Sequence, residues 1–123
     1  MRFEERGVEK IKAIFEEVEA KYPQLLKRAK NIEVKTFFVG FFGIAKAKSS
    51  NDKNKVYEIV IDVDREVFMC SCPSWLMNQY TITSEKFSFR SEITVCKHIL
   101  AVLKKIEEEA WEVTKQTVSA KQY

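Results

Sequence analysis

Residues 67–72, Val-Phe-Met-Cys-Ser-Cys, and residues 94–103, Thr-Val-Cys-Lys-His-Ile-Leu-Ala-Val-Leu, decide how this chain is read. They hold Cys70, Cys72, Cys96 and His98, which are every cysteine and the only histidine among the 123 residues. The four fall into two x-separated pairs, Cys-x-Cys and Cys-x-His, with 23 residues between the pairs. Zinc takes four nitrogen or sulfur donors in a tetrahedron, and three Cys plus one His is a common structural set. A disulfide would leave an odd thiol and would need an oxidising compartment.

The local periodicities allow the four to meet. Residues 67–72 read as a strand, and on a strand residues i and i+2 point to one face, so Cys70 and Cys72 can reach one point. Cys96 and His98 open an apolar-periodic run. Ile99, Leu103, Ile106, Ala110, Val113 and Thr117 recur at steps of four and three, which predicts a helix from about Thr94 to Thr117. The free N–H groups and positive dipole end of a helix N-terminus favour thiolate over thiol. His98 can bind through one ring nitrogen, and the other then needs an acceptor of its own.

Upstream, Val34–Lys48 is rich in Thr, Val and Phe and reads as one long strand, with Gly40 and Gly43 marking a bulge or bend. A polar turn, Ser50–Lys55, follows. Tyr57, Ile59, Ile61 and Val63 then alternate as a half-buried strand, and Asp62-Val63-Asp64-Arg65 is a turn. With residues 67–72 this makes an antiparallel three-stranded meander. Further upstream, Val8, Ile11, Phe15, Val18, Tyr22, Leu25, Ala29 and Ile32 form one helical stripe, kinked or broken near Pro23. The insert after Cys72 offers a short helix from Pro73 and a small hairpin within Thr81–Phe89. The expected fold is α+β: a helical extension over residues 1–33, then a zinc-binding domain over 34–123, packed as one unit.

The motif resembles the SWIM zinc finger. The resemblance rests on Cys70-Ser71-Cys72-Pro73 and on Cys96-Lys97-His98-Ile99-Leu100-Ala101-Val102-Leu103, with strands before the motif and a helix after it. It spans roughly residues 34–110. SWIM domains are associated with Mutator-type transposases, Swi/Snf-type ATPases and adaptors of strand-exchange recombinases, and with ubiquitin ligases as interaction modules. The resemblance therefore implies a DNA-associated accessory factor of the recombination or repair type. The alternative is a protein-binding adaptor without nucleic-acid contact, with a partner such as a recombinase-family protein.

Charge supports the first reading. The net charge is only +3, but residues 27–55 hold eight Lys/Arg against Glu33 and Asp52. Lys27, Arg28, Lys30, Lys35, Lys46, Lys48, Lys53 and Lys55 are candidate phosphate contacts, with Phe37, Phe38, Phe41 and Phe42 interleaved for base stacking. Lys104 and Lys105, on the last helix, are expected to matter less. Catalysis is not expected: a Cys3His site leaves zinc no open position, and no cysteine or histidine remains for nucleophilic chemistry. No Gly-rich phosphate loop is present. Asp62 and Asp64 read as turn residues. No apolar run reaches the roughly 20 residues of a membrane span, and the charged start, Met1-Arg2-Phe3-Glu4-Glu5-Arg6, is no signal peptide. The expectation is a cytoplasmic protein with no small-molecule substrate.

Overall fold

Pro23 divides the N-terminal stripe as its chemistry requires. In the computed structural model, α1 spans Phe3–Lys21 and α2 spans Pro23–Ala29. Proline lacks an N–H and suits the first turn of a helix, so the break falls at Tyr22, the residue before it. The Tyr22 N–H closes α1 on the Val18 carbonyl (2.6 Å), and the Tyr22 carbonyl accepts from Leu25 (3.0 Å) to open α2. The structure describes residues 3–39, 41–48, 54–87 and 92–120, with side chains described over 7–36, 41–48, 54–87 and 92–108.

The sheet has four antiparallel strands, not three. Val34–Lys48 forms two of them, β1 (Val34–Val39) and β2 (Phe42–Lys48), paired from Val34↔Ala47 to Val39↔Phe42. Val39↔Phe42 is the last pair of this ladder, so the chain reverses between them. A single strand of fifteen residues would also exceed the usual length of about 3–10. The hairpin hid in the sequence because apolar residues run on both sides of the turn without a change of composition. Gly43 sits inside β2, between Phe38 and Ile61. β3 (Val56–Asp62) and β4 (Val67–Cys70) complete the order β1-β2-β3-β4.

The β3–β4 turn is held by its own charges. Asp62 Oδ1 accepts the Arg65 N–H (3.2 Å), and Glu66 takes a left-handed φ of 58°. Lys10 reaches over from α1 to the Asp64 carbonyl (3.1 Å) and the Glu66 carboxylate (3.3 Å). Asp64 is thus a turn residue as expected, whereas Asp62 is the last residue of β3 and anchors the turn through its carboxylate.

The insert contains a short helix, α3 (Pro73–Leu76), and a two-stranded ladder, β5 (Thr81–Ile82) with β6 (Ile93–Thr94). The second arm lies beyond Phe89, outside the expected hairpin; residues 88–91 are outside the described set. The last helix, α4, starts at Lys97 and runs to Ala120. The side chains of Ala110, Val113 and Thr117, and residues 49–53 of the polar turn, also lie outside the described residues.

α4 is the hub. It buries Ile99, Leu100, Val102, Leu103 and Ile106, a wider face than the expected stripe, because it packs against α1, α2 and the sheet together. On its inner face the sheet contributes Ala45, Ala47, Ile59, Ile61 and Phe68, and the helices contribute Ile11, Ile14, Val18 and Leu25, all in one buried cluster. Phe41 joins this core, 3% exposed, with its ring against α1 at Gly7.

That contact makes a prediction whose sign departs from helix propensity. Alanine is favoured over glycine inside a helix by about 1 kcal/mol. A Cβ at Gly7, however, would stand 2.8 Å from three atoms of the buried Phe41 ring. Overpacking a core costs typically about 1–3 kcal/mol. Gly7→Ala should therefore lower the denaturation midpoint; a rise would show that Phe41 yields freely.

Candidate metal centre

Three separate pieces of local structure deliver the four donors. β4 ends on Cys70, and the extended chain continues through Ser71, whose N–H donates to the Glu58 carbonyl (3.0 Å) while its Oγ accepts the Glu58 N–H (3.0 Å). This keeps the strand alternation running, so Cys70 and Cys72 are both buried and Ser71 is exposed. Cys72 is extended, at φ −74° and ψ 154°, and directly precedes α3, where Pro73 occupies the first turn. Cys96 directly precedes α4. Its carbonyl accepts the Leu100 N–H (3.0 Å), and its Sγ receives the Ile99 N–H at 3.4 Å. A sulfur in the capping position thus meets one of the helix's free donors. His98 sits in the first turn of α4 and is 2% exposed.

The donor atoms of Cys70, Cys72, Cys96 and His98 all lie within 4.8 Å of one another. His98 turns Nδ1 inward, 3.9 Å from Cys70 Sγ and 3.8 Å from Cys96 Sγ. A tetrahedral ion with metal–sulfur bonds of about 2.3 Å and a metal–nitrogen bond of about 2.0 Å holds its donors roughly 3.5–3.8 Å apart. The cluster could hold a metal ion with a small contraction. His98 Nε2 is buried and finds no hydrogen-bond partner among the described residues; the Tyr57 ring lies beside the imidazole, centroids 5.0 Å apart.

The insert clamps the two halves together. Trp75 Nε1 donates to the Thr94 carbonyl (3.2 Å), and Thr94 Oγ1 donates to Asn78 Oδ1 (2.9 Å). The Val95 N–H donates to the Tyr80 carbonyl (2.9 Å). The residues just after Cys72 are therefore tied to those just before Cys96. Sequence reasoning missed this clamp; Trp75 was its one visible sign, a large residue beside the motif.

Electrostatically the three thiols are coupled through their mutual hydrogen bonds. Hydrogen bonds from Cys70 and Cys96 hold the Cys72 thiol well below its usual range, against its burial. Hydrogen bonding to Cys72, with burial behind it, pushes Cys70 up to about 12. Cys96 is raised by its hydrogen bonds to Cys70 and Cys72, and then by burial. Three thiolates this close repel one another in a dry core, and a dication among them removes that conflict.

The predicted phosphate contacts are scattered more widely. Lys27, Arg28 and Lys30 are exposed on and after α2, Lys35 on β1, Lys46 and Lys48 on β2, and Lys55 before β3; Lys53 lies outside the described residues. Of these, Lys30, Lys35, Lys46 and Lys48 converge on one groove, which Lys104 and Lys105 of α4 also line. Lys27 lines a neighbouring groove between α1, α2 and α4. Of the four interleaved phenylalanines, Phe41 is core and Phe42 is exposed; the side chains of Phe37 and Phe38 lie outside the described residues. No helix among the described residues is long and apolar enough to cross a membrane. No protein-family model matches the chain, and no curated protein or solved structure shows a significant match to it.

The pH dependence is testable. Hydrogen bonding and burial raise Cys70 and Cys96, and a metal needs their thiolates, so metal binding should release protons and apparent affinity should fall as pH drops below neutral. Titration calorimetry in buffers of different ionisation heat measures the release; a release near zero would contradict the raised thiols. His98→Ala should cost on the order of 3–5 kcal/mol in chemical denaturation, against about 1–2 kcal/mol for Trp75→Phe, which loses the bond to Thr94 and part of the ring's packing.

Proposed function

We propose that this chain is a non-catalytic, zinc-binding module of the SWIM type that works by binding DNA, as an accessory factor in recombination or repair. The observation that carries the reading is the closed Cys3His cluster. Its four buried donors would fill every position of a tetrahedral zinc, which would leave no site for a water or a substrate. All cysteines and the only histidine are consumed there. What remains for function is surface, and the surface carries the lysine surplus of residues 27–55, most of it exposed where described. The SWIM resemblance adds the DNA association.

Freshly purified, reduced protein should contain about one zinc per chain by elemental analysis, and a chelator should remove it with loss of structure. The holoprotein should bind DNA with an affinity that falls steeply as salt rises, because neutralised phosphates release counterions. Absence of stoichiometric metal would end the zinc reading, and absence of salt-dependent DNA binding would end the DNA reading.

One observation favours the adaptor alternative. The outer face of the sheet exposes Phe42, Ile44, Val56 and Met69, each about half accessible at 48–50%. Ile44, Val60 and Met69 sit opposite one another across β2, β3 and β4, so the apolar surface is continuous. If this face docks a recombinase-family partner, Phe42→Ser with Met69→Ser should abolish the complex in gel filtration. Zinc content and DNA affinity should stay unchanged.

A further inference from the structure

At the end of the molecule where β1 begins, β2 ends and β3 begins, a groove of about 650 Å³ opens between the sheet and the helices. The small side chains of Ala29, Ala47 and Ala101 are part of its lining and leave room in it. Its cations come from both layers. Lys30, Lys104 and Lys105 stand on the helical side, and Lys35, Lys46 and Lys48 line it from the strands, at outward-facing positions that alternate with the inward-facing Ala45 and Ala47 of β2. Against these six the lining has two carboxylates, Glu33 and Glu108, a surplus of four positive charges. The whole chain carries only +3, so the rest of the protein is close to neutral and the groove holds the positive field.

Two details show that this charge is unspent. Among the described residues, none of Lys30, Lys35, Lys46, Lys48 and Lys104 lies within ion-pair distance of a carboxylate. Lys35 and Lys46 are also direct cross-strand partners, both exposed. Like charges directly opposite each other destabilise a sheet; Glu58, opposite Lys46 on β3, offsets part of this repulsion, and an anion beside Lys35 would relieve the rest. Lys105 differs. Its Nζ donates to the Val34 carbonyl (3.1 Å), which ties α4 to the first residue of β1 and fixes the groove's shape.

We propose that this groove binds the phosphate backbone of a single nucleic-acid strand. A cleft lined by one sign of charge over low-dielectric walls concentrates the field that attracts a polyanion. Its volume is that of a small-molecule pocket, which takes a sugar-phosphate unit or two of one strand and not a duplex. The alanines offer apolar contact to sugars, and the lysines reach phosphates on either side. The proposal rests on the DNA reading above, but it moves the contact surface. Lys104 becomes a principal contact through its place opposite the strands, whereas Lys27, Arg28 and Lys55 lie outside the groove.

The test uses the zinc-loaded full chain and labelled DNA of about 20 nucleotides, single-stranded and duplex, in anisotropy titrations over a range of salt. The groove variant carries Lys30→Gln, Lys46→Gln, Lys48→Gln and Lys104→Gln. The control carries Lys21→Gln and Lys86→Gln, neither of which lines the groove. Melting temperature and zinc content confirm that each folds. Wild type should prefer the strand to the duplex. The groove variant should bind the strand at least about tenfold more weakly at low salt, with a log–log salt slope smaller by about 3. Lys104→Gln alone should lower the slope by about 0.7, and the control should match wild type. Groove variants that bind the strand as wild type does would overturn the site while leaving the DNA reading intact. A wild type that binds no DNA at any salt would overturn both. Competition by poly-glutamate as strong as by unlabelled strand would overturn the nucleic-acid assignment in favour of an acidic protein segment.

Discussion

Three thiols and an imidazole meet in the dry interior, their donor atoms within 4.8 Å of one another. That meeting is the constraint around which the other elements are placed. Buried polar groups are costly unless something satisfies them, and here the groups mostly face each other. Without a cation their thiolates would repel one another; with a dication all three sulfurs can ionise. β4 and α4 must therefore meet at a fixed point and angle. The insert clamp between Trp75 and Thr94 serves the same end, since it joins the two donor pairs through protein hydrogen bonds.

The two-layer packing follows from that anchor. α4 begins at the cluster and then crosses the inner face of the sheet, with α1 and α2 against its other side. A helix enclosed on several sides needs apolar residues around much of its circumference, which Ile99, Leu100, Val102, Leu103 and Ile106 provide. The cluster is therefore closed off from solvent. Two surfaces stand out: an apolar sheet face centred on Ile44, Val60 and Met69, and a lysine-lined groove at the opposite end of the strands.

The two surfaces divide β2 between them. Phe42 and Ile44 lie on the apolar half, Lys46 and Lys48 on the basic half, all on the outward side of one strand. A protein partner and a nucleic-acid strand could be held by adjoining parts of the same sheet. Whether both are used is a matter of binding, but their juxtaposition comes from the period-two geometry of a single strand.

The donors of the candidate centre were legible in sequence because their chemistry is scarce: three cysteines and one histidine, in two x-separated pairs, leave no other assignment for a four-donor set. The helices were legible too, since their stripes repeat over many residues and Pro23 announces its own break. The β1–β2 hairpin was not, because phenylalanine, valine and glycine flank the turn as they would fill a strand, and only cross-strand pairing shows where the chain reverses. β6 was missed for a similar reason: two residues carry no periodicity, and their partners lie more than ten positions away. The groove lay furthest from view. Charge counting along the chain collects neighbours in sequence, so it found Lys30, Lys35, Lys46 and Lys48 but set Lys104 and Lys105 aside. Only the packing of α4 against the start of β1 brings those six together, because a field depends on distance in space and the sequence orders charges along the backbone.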